Sequence, residues 1–204
     1  MLSRPEVVSR RTAVIAGHQG DLDAVRGLIV NADPKIRASG LGALLRRGAL
    51  EKDDLTAAIG DDSAIVRGRA ALLAAKAGPD LVDPGALRAL LDDRDPAVCE
   101  AACFAAGEQS EPAAGIVERL CEIATAHDDA LCRESAVAAL GSLGDERGRD
   151  AVLAGCRDKP TVRRRAVLAL VAFDGTDVDA MLEEMAGDVD WQVRQAAEEL
   201  LAIT

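Results

Sequence analysis

Asp33-Pro34-Lys35-Ile36-Arg37 decides the fold, because it returns. In register with it stand Ser63-Ala64-Ile65-Val66-Arg67, Asp95-Pro96-Ala97-Val98-Cys99, Asp129-Ala130-Leu131-Cys132-Arg133, Lys159-Pro160-Thr161-Val162-Arg163 and Asp190-Trp191-Gln192-Val193-Arg194. Arginine recurs at 37, 67, 133, 163 and 194, with Cys99 in the missing slot, in steps of 30, 32, 34, 30 and 31 residues. Self-similarity at such a period is the mark of a stacked array of supersecondary units. A weaker copy opens the chain, with Pro5-Glu6-Val7-Val8 leading into Thr12-Ala13-Val14-Ile15.

Each unit reads as two helices. Asp or Ser at the first place is an N-cap, whose side chain accepts from the orphan N–H groups of the first turn. Pro34, Pro96 and Pro160 follow at the first helical position, where no N–H is needed. Gly17, Gly48, Gly78, Gly107 and Gly141 lie near the far ends and are read as left-handed stops. Shorter apolar helices are expected between the capped ones, at Leu22–Val30, Leu55–Ile59, Leu87–Leu91, Val117–Ile123, Ala151–Cys156 and Val178–Met185. With the apolar residue before the arginine as position zero, positions zero, four and eight fall on one helical face: Val66/Ala70/Ala74, Cys132/Ala136/Leu140, Val162/Ala166/Leu170. Small residues there let helices approach closely, and stacked pairs bury a seam that one pair cannot. The pattern predicts an all-α, right-handed α-solenoid of about six helix pairs. It forms one domain over 1–204, with repeats near 1–17 (a half repeat), 21–48, 51–78, 84–107, 112–144, 147–173 and 176–204.

Composition agrees. Of 204 residues, 49% are hydrophobic but only 1% aromatic, which disfavours an all-β fold. Nothing approaches a run of 18 apolar residues, so no membrane span is expected. The opening MLSRPEVV lacks the apolar core of an export signal, and five cysteines without a CxxC pair read as reduced thiols in a cytoplasmic protein. The net charge of −11 is uneven: residues 1–50 hold 8 basic against 4 acidic side chains, residues 51–204 hold 16 against 31.

The pattern Asp-Pro-x-Val-Arg-x-x-Ala-x-x-Ala-Leu resembles HEAT repeats, in particular the phycobilisome-lyase HEAT-like form, over nearly the whole chain. The resemblance implies that the Asp/Arg-bearing helix lines the concave side and that the arginines form a ladder with the turn aspartates. It implies little about activity, since such repeats serve many roles. Family members include deoxyhypusine hydroxylase, which binds iron through paired His-Glu dipeptides. This chain has His18-Gln19 and His127-Asp128 and no His-Glu, so that activity is not expected. Bilin lyase subunits and DNA-glycosylase relatives supply two alternatives, an enzyme-accessory subunit and a DNA-binding protein. No feature marks a bilin cavity. Arg46-Arg47 and Arg163-Arg164-Arg165 are the densest basic clusters, but the aromatics are too few to stack bases and the overall field repels phosphate.

Catalytic patterns are missing. His18 and His127 read as exposed turn residues. Cys99 and Cys103 share a helix face, with Cys132 one repeat on; packing, a redox pair or a thiolate site are the options, and packing is the reading, because a thiolate site wants three or four closely spaced ligands. No catalytic, cofactor or metal residue is assigned. Positions two and six point most nearly away from the buried face. Position six holds Leu72, Phe104 and Leu168, large apolar residues rimmed by Arg69, Glu100, Glu134, Arg164 and Arg165. Either these form an apolar strip with a charged rim, the composition of a protein-binding surface, or neighbouring helices crowd over them. Trp191 is read as sealing the end of the stack against Phe173 rather than as a partner's anchor. The expectation is a non-enzymatic scaffold or adaptor, a monomer or weak oligomer, that binds an unidentified protein or peptide on its concave face.

Overall fold

A computed structural model of the chain describes Ile15 and residues 22–77, 81, 82 and 84–203. The half repeat at 1–17, apart from Ile15, and the expected stops Gly17 and Gly78 lie outside them, as does His18. Twelve α-helices and no strand occur among the described residues, in the paired order that the period predicts: an α-solenoid. They are α1 (Leu22–Ile29), α2 (Pro34–Arg46), α3 (Lys52–Ile59), α4 (Ala64–Ala77), α5 (Pro84–Leu91), α6 (Pro96–Gly107), α7 (Ile116–Ala126), α8 (Ala130–Leu143), α9 (Arg149–Gly155), α10 (Pro160–Ala169), α11 (Thr176–Met185) and α12 (Trp191–Leu201). Short 3-10 turns precede α9 and follow α10. No helix among these is long and apolar enough to cross a membrane.

The helices fall into two compact units, residues 1–86 and 87–204, with the boundary inside α5. In the first, α1 packs on α2, and α2 and α3 both pack on α4 around Val25, Leu41, Leu44, Leu55, Val66 and Ala70. In the second, the capped helices α6, α8, α10 and α12 stack in chain order, while α7 packs on α8 and α9, and α11 on α12. The seam residues Cys132, Ala136, Leu140, Val162, Ala166 and Leu170 are buried as their spacing requires.

The four aspartate caps form as read. Asp33, Asp95, Asp129 and Asp190 accept from the backbone N–H two residues on, at 2.8–3.0 Å. Lys159, which replaces the fifth cap, makes no such bond; Asp158 Oδ1 accepts the Lys159 N–H instead.

The glycines divide into two kinds. Gly48 (φ 63°) and Gly144 (φ 59°) are left-handed stops. Gly107 and Gly141 are not, which corrects the sequence reading: both sit within or at the end of a helix where a neighbouring helix comes too close for a side chain. A Cβ on Gly107 would lie 2.9 Å from Ala139 Cα, and one on Gly141 2.6 Å from Ala169 Cβ. These contacts set the spacing of α6, α8 and α10.

The arginine ladder joins successive repeats. Arg37 donates from Nε and Nη2 to the two oxygens of Asp61 at 2.8 and 2.7 Å. Arg133 does the same to Asp158 at 2.6 and 2.8 Å, and Arg163 to Asp188 at 2.8 Å twice. The spare Nη1 of each donates backwards to the carbonyls that end the preceding turn, for example His127 and Asp128 for Arg133. One fork thus fixes its own turn and the next. Asp61, Asp158 and Asp188 are held below the ordinary carboxylate range, first by the arginine hydrogen bond, against the opposing effect of burial.

Candidate functional site

The capped helices of the second unit leave a row of open clefts on the face that carries positions two and six. One, about 370 Å³, lies between α6 and α8 and is lined by Phe104, Glu108, Glu134, Ser135 and Arg165 among others. The next, about 220 Å³, is lined by Glu134, Pro160, Thr161, Arg164, Arg165, Leu168, Asp190 and Gln192. A third, about 110 Å³, adds Trp191, Gln195 and Glu199 to Arg164 and Leu168. Glu134, Arg164, Arg165 and Leu168 are shared between neighbours, so the clefts form one interrupted trough across α6, α8, α10 and α12. Two of the three fall below the several hundred Å³ that a small-molecule site encloses, and all are open to solvent; their scale suits single side chains of an extended segment.

Helix geometry puts these residues here. Residues 164 and 168 are one turn apart and lie opposite the buried seam of 162, 166 and 170. Leu168 is 38% exposed and Phe104 47%, so the apolar centre read from the sequence faces solvent instead of being covered by neighbouring helices. Arg165 pairs with Glu134 at 3.5 Å, and Gln195 Nε2 donates to Glu199 Oε1 at 2.8 Å. Arg164 is exposed and, among the described residues, has no ion-pair partner.

Five of the eight residues singled out from the sequence therefore meet in the trough: Phe104, Glu134, Arg164, Arg165 and Leu168. Glu100, one turn before Phe104 on α6, is partly buried. Arg69 and Leu72 belong to α4 of the first unit. Leu72 is 39% exposed, and Arg69 lies half-buried over Gly42 of α2, where a Cβ would come within 2.1 Å of its Nη2. Burial, and then the neighbouring Arg46, lower the Arg69 pKa.

Trp191 corrects the sequence reading. It is 62% exposed and lines the last cleft instead of being covered, while Phe173 is buried. At the first turn of α12 its side chain has no preceding helical turn to pack on. Thr161 and Gln192 were also missed. They stand at the N-terminal ends of α10 and α12, where the face pattern based on positions two and six does not reach.

The sequence profile described as HEAT repeats matches residues 84–161 and 117–202. The structure of YibA from Escherichia coli is similar with a TM-score of 0.67 and 18% identity, over 96% of this chain and 75% of that one. A designed armadillo repeat protein in complex with the peptide (KR)4 is similar with a TM-score of 0.62 and 19% identity, over 93% and 97%. The complex of CpcE and CpcF of phycocyanin lyase from Nostoc sp. PCC7120 gives 0.59 and 19%, over 75% and 98%. A comparison with curated protein sequences gives no match. At these identities the structural likeness establishes the fold.

Proposed function

The chain belongs to the HEAT-repeat family, and from that premise we propose that it is a non-enzymatic scaffold or adaptor whose trough on α6, α8, α10 and α12 binds an extended protein segment. The observation that carries this reading is the exposure of Leu168 and Trp191 beside an unpaired Arg164. Large apolar side chains exposed together, with charge at the rim, are what a binding surface presents before its partner arrives. The chemistry selects the segment: an apolar side chain for the cleft, with a carboxylate close by for Arg164. A nucleic acid fits poorly, because Glu134, Asp190 and Glu199 line the same clefts. That two structures of this fold hold a peptide or a second protein supports the reading by analogy. The five free thiols suit the cytoplasm.

The test is capture of binding partners from the native host by wild type and by variants. Leu168→Asp and Trp191→Ala each reduce capture of the principal partner by roughly ten- to thirty-fold, the scale of a hot-spot residue. Val171→Asp, at a position that is 72% exposed just beyond α10, leaves capture unchanged. Equal capture by folded Leu168→Asp and wild type contradicts the proposal.

A further inference from the structure

Four of the turns before the capped helices share one device. The residue two places before the cap accepts the N–H of the cap: Asn31 for Asp33, Asp61 for Ser63, Asp93 for Asp95 and Asp188 for Asp190, at 2.7–2.9 Å. Asp61 and Asp188 also receive the forked guanidinium of the ladder from the preceding capped helix. At the junction of α6 and α8 both partners are exchanged at once. Cys99 stands in the place of the arginine. His127 stands in the place of the aspartate, and its Nδ1 accepts the Asp129 N–H at 3.0 Å as the carboxylates do elsewhere. A cation and an anion have been replaced by a thiol and an imidazole, two side chains that ligate metals.

Cys132, in the first turn of α8, adds a second sulfur. The ligand atoms of Cys99, His127 and Cys132 all lie within 4.8 Å of one another. Around a tetrahedral zinc ion, with bonds of about 2.0–2.3 Å, ligand atoms stand roughly 3.3–3.8 Å apart, so the three need to close by little more than ~1 Å. Both sulfurs are fully buried, while His127 is half-buried and lines a cleft open to solvent with Arg119, Glu122 and Asp128. An ion therefore has an entry path past the imidazole. Cys103 is buried one turn beyond Cys99 on the same helix.

We propose that Cys99, His127 and Cys132 form a binding site for a thiophilic divalent ion of the Zn2+ class, standing where a guanidinium stands in the other repeats. A neutral imidazole has one lone pair, so the ion competes with the Asp129 N–H for it. The Cys99 and Cys132 thiols donate to Leu91 O and Pro96 O, with sulfur–oxygen distances of 3.5 and 3.3 Å, and lose those protons when the thiolates bind the ion. The spacing of the cysteines alone could not reveal the site, because the third ligand is a turn residue 28 positions after Cys99 that only the stacking of repeats brings back.

The full chain, reduced and stripped of metal with a chelator, is titrated with Co2+ and then Zn2+. The expected result is one equivalent of Co2+ bound with the visible bands of a tetrahedral site and thiolate-to-cobalt charge transfer in the near ultraviolet, bleached by one equivalent of Zn2+. His127→Ala, at a half-buried helix end, keeps the fold and weakens binding at least ten-fold; Cys132→Ser removes part of the charge-transfer intensity; Cys156→Ser changes neither. No tetrahedral spectrum in reduced wild type at millimolar Co2+ overturns the proposal, as does a spectrum and affinity unchanged in His127→Ala. Should Cys132→Ser fail to fold, the His127→Ala comparison decides alone.

Discussion

Arg163→Ala lowers the unfolding free energy by about 2–4 kcal/mol, a melting shift of roughly 5–10 °C, whereas Arg147→Ala leaves the melting temperature nearly unchanged. Both arginines hold two acidic or carbonyl partners, so the number of contacts does not separate them. Burial does. The Arg163 and Asp188 side chains are 15% and 8% exposed, while Arg147 and Glu118 are 55% and 51% exposed. Removing Arg163 leaves the Asp188 carboxylate half-desolvated without its fork and takes the Nη1 donor from Asp158 O. Removing Arg147 returns its partners to water. Thermal unfolding of the two variants side by side checks the contrast, and equal shifts would refute it.

The same ladder sets the response to acid. The folded pKa values of Asp61, Asp158 and Asp188 lie below the ordinary 3.8, so the unfolded chain binds more protons between the two values. Their contribution is complete above the unfolded value and is lost as pH falls through 3.8 and then through each lowered folded value. Stability measured by denaturant titration therefore falls with decreasing pH in that range, and Arg163→Ala flattens the slope by removing the largest cause of the lowered Asp188 pKa.

Gly141→Leu disrupts the second unit by more than about 3 kcal/mol, and Gly141→Ala already costs about 1–3 kcal/mol. The reason is the 2.6 Å that would separate the new Cβ from Ala169 Cβ, with Ala169 Cα at 2.9 Å behind it. Backbone cannot retreat as a flexible side chain can, so α8 and α10 must part and open the seam of Ala136, Ala166 and Leu170. Gly27→Ala supplies the opposite sign. It lies inside α1 with nothing within 4 Å of its Cβ, so the substitution stabilises by roughly 0.5–1 kcal/mol through helix propensity. If Gly141→Ala is neutral in thermal unfolding, the close approach is not what fixes the stack.

The helix pairs, their caps and the ladder arginines were legible because each is written locally and then repeated in register. Asp129 caps α8 whatever lies elsewhere, and Arg133 recurs at the same place after the cap. What depends on the partner helix was not legible. Glycine serves both a left-handed turn and a tight contact, so Gly144 and Gly141 look alike until α10 is in place. The exposure of Leu168 and Phe104 depends on how nearly the capped helices touch, which the face pattern leaves open. Trp191 reads as an end seal because it stands in the last unit, where the other units carry Pro or Ala; at a helix start it lines the last cleft instead. The exchange of Cys99 and His127 was hidden for a simpler reason. The residue two before the cap reads Asn31, Asp61, Asp93, His127, Arg157 and Asp188, with Asp158 taking over the role beside Arg157, so the exchange at His127 shows only when the column is aligned with the arginine column one repeat earlier.

Site-specific photo-crosslinking tests the binding account most directly. A photoreactive residue placed at Gln192 or Thr161, inside the trough, and one at Glu183, exposed on α11, are irradiated in the native host. A discrete protein adduct is expected from positions 192 and 161 and none from 183, with the Arg164→Glu background abolishing it. An adduct that forms at 183 and not in the trough, from a folded chain, would contradict the binding account.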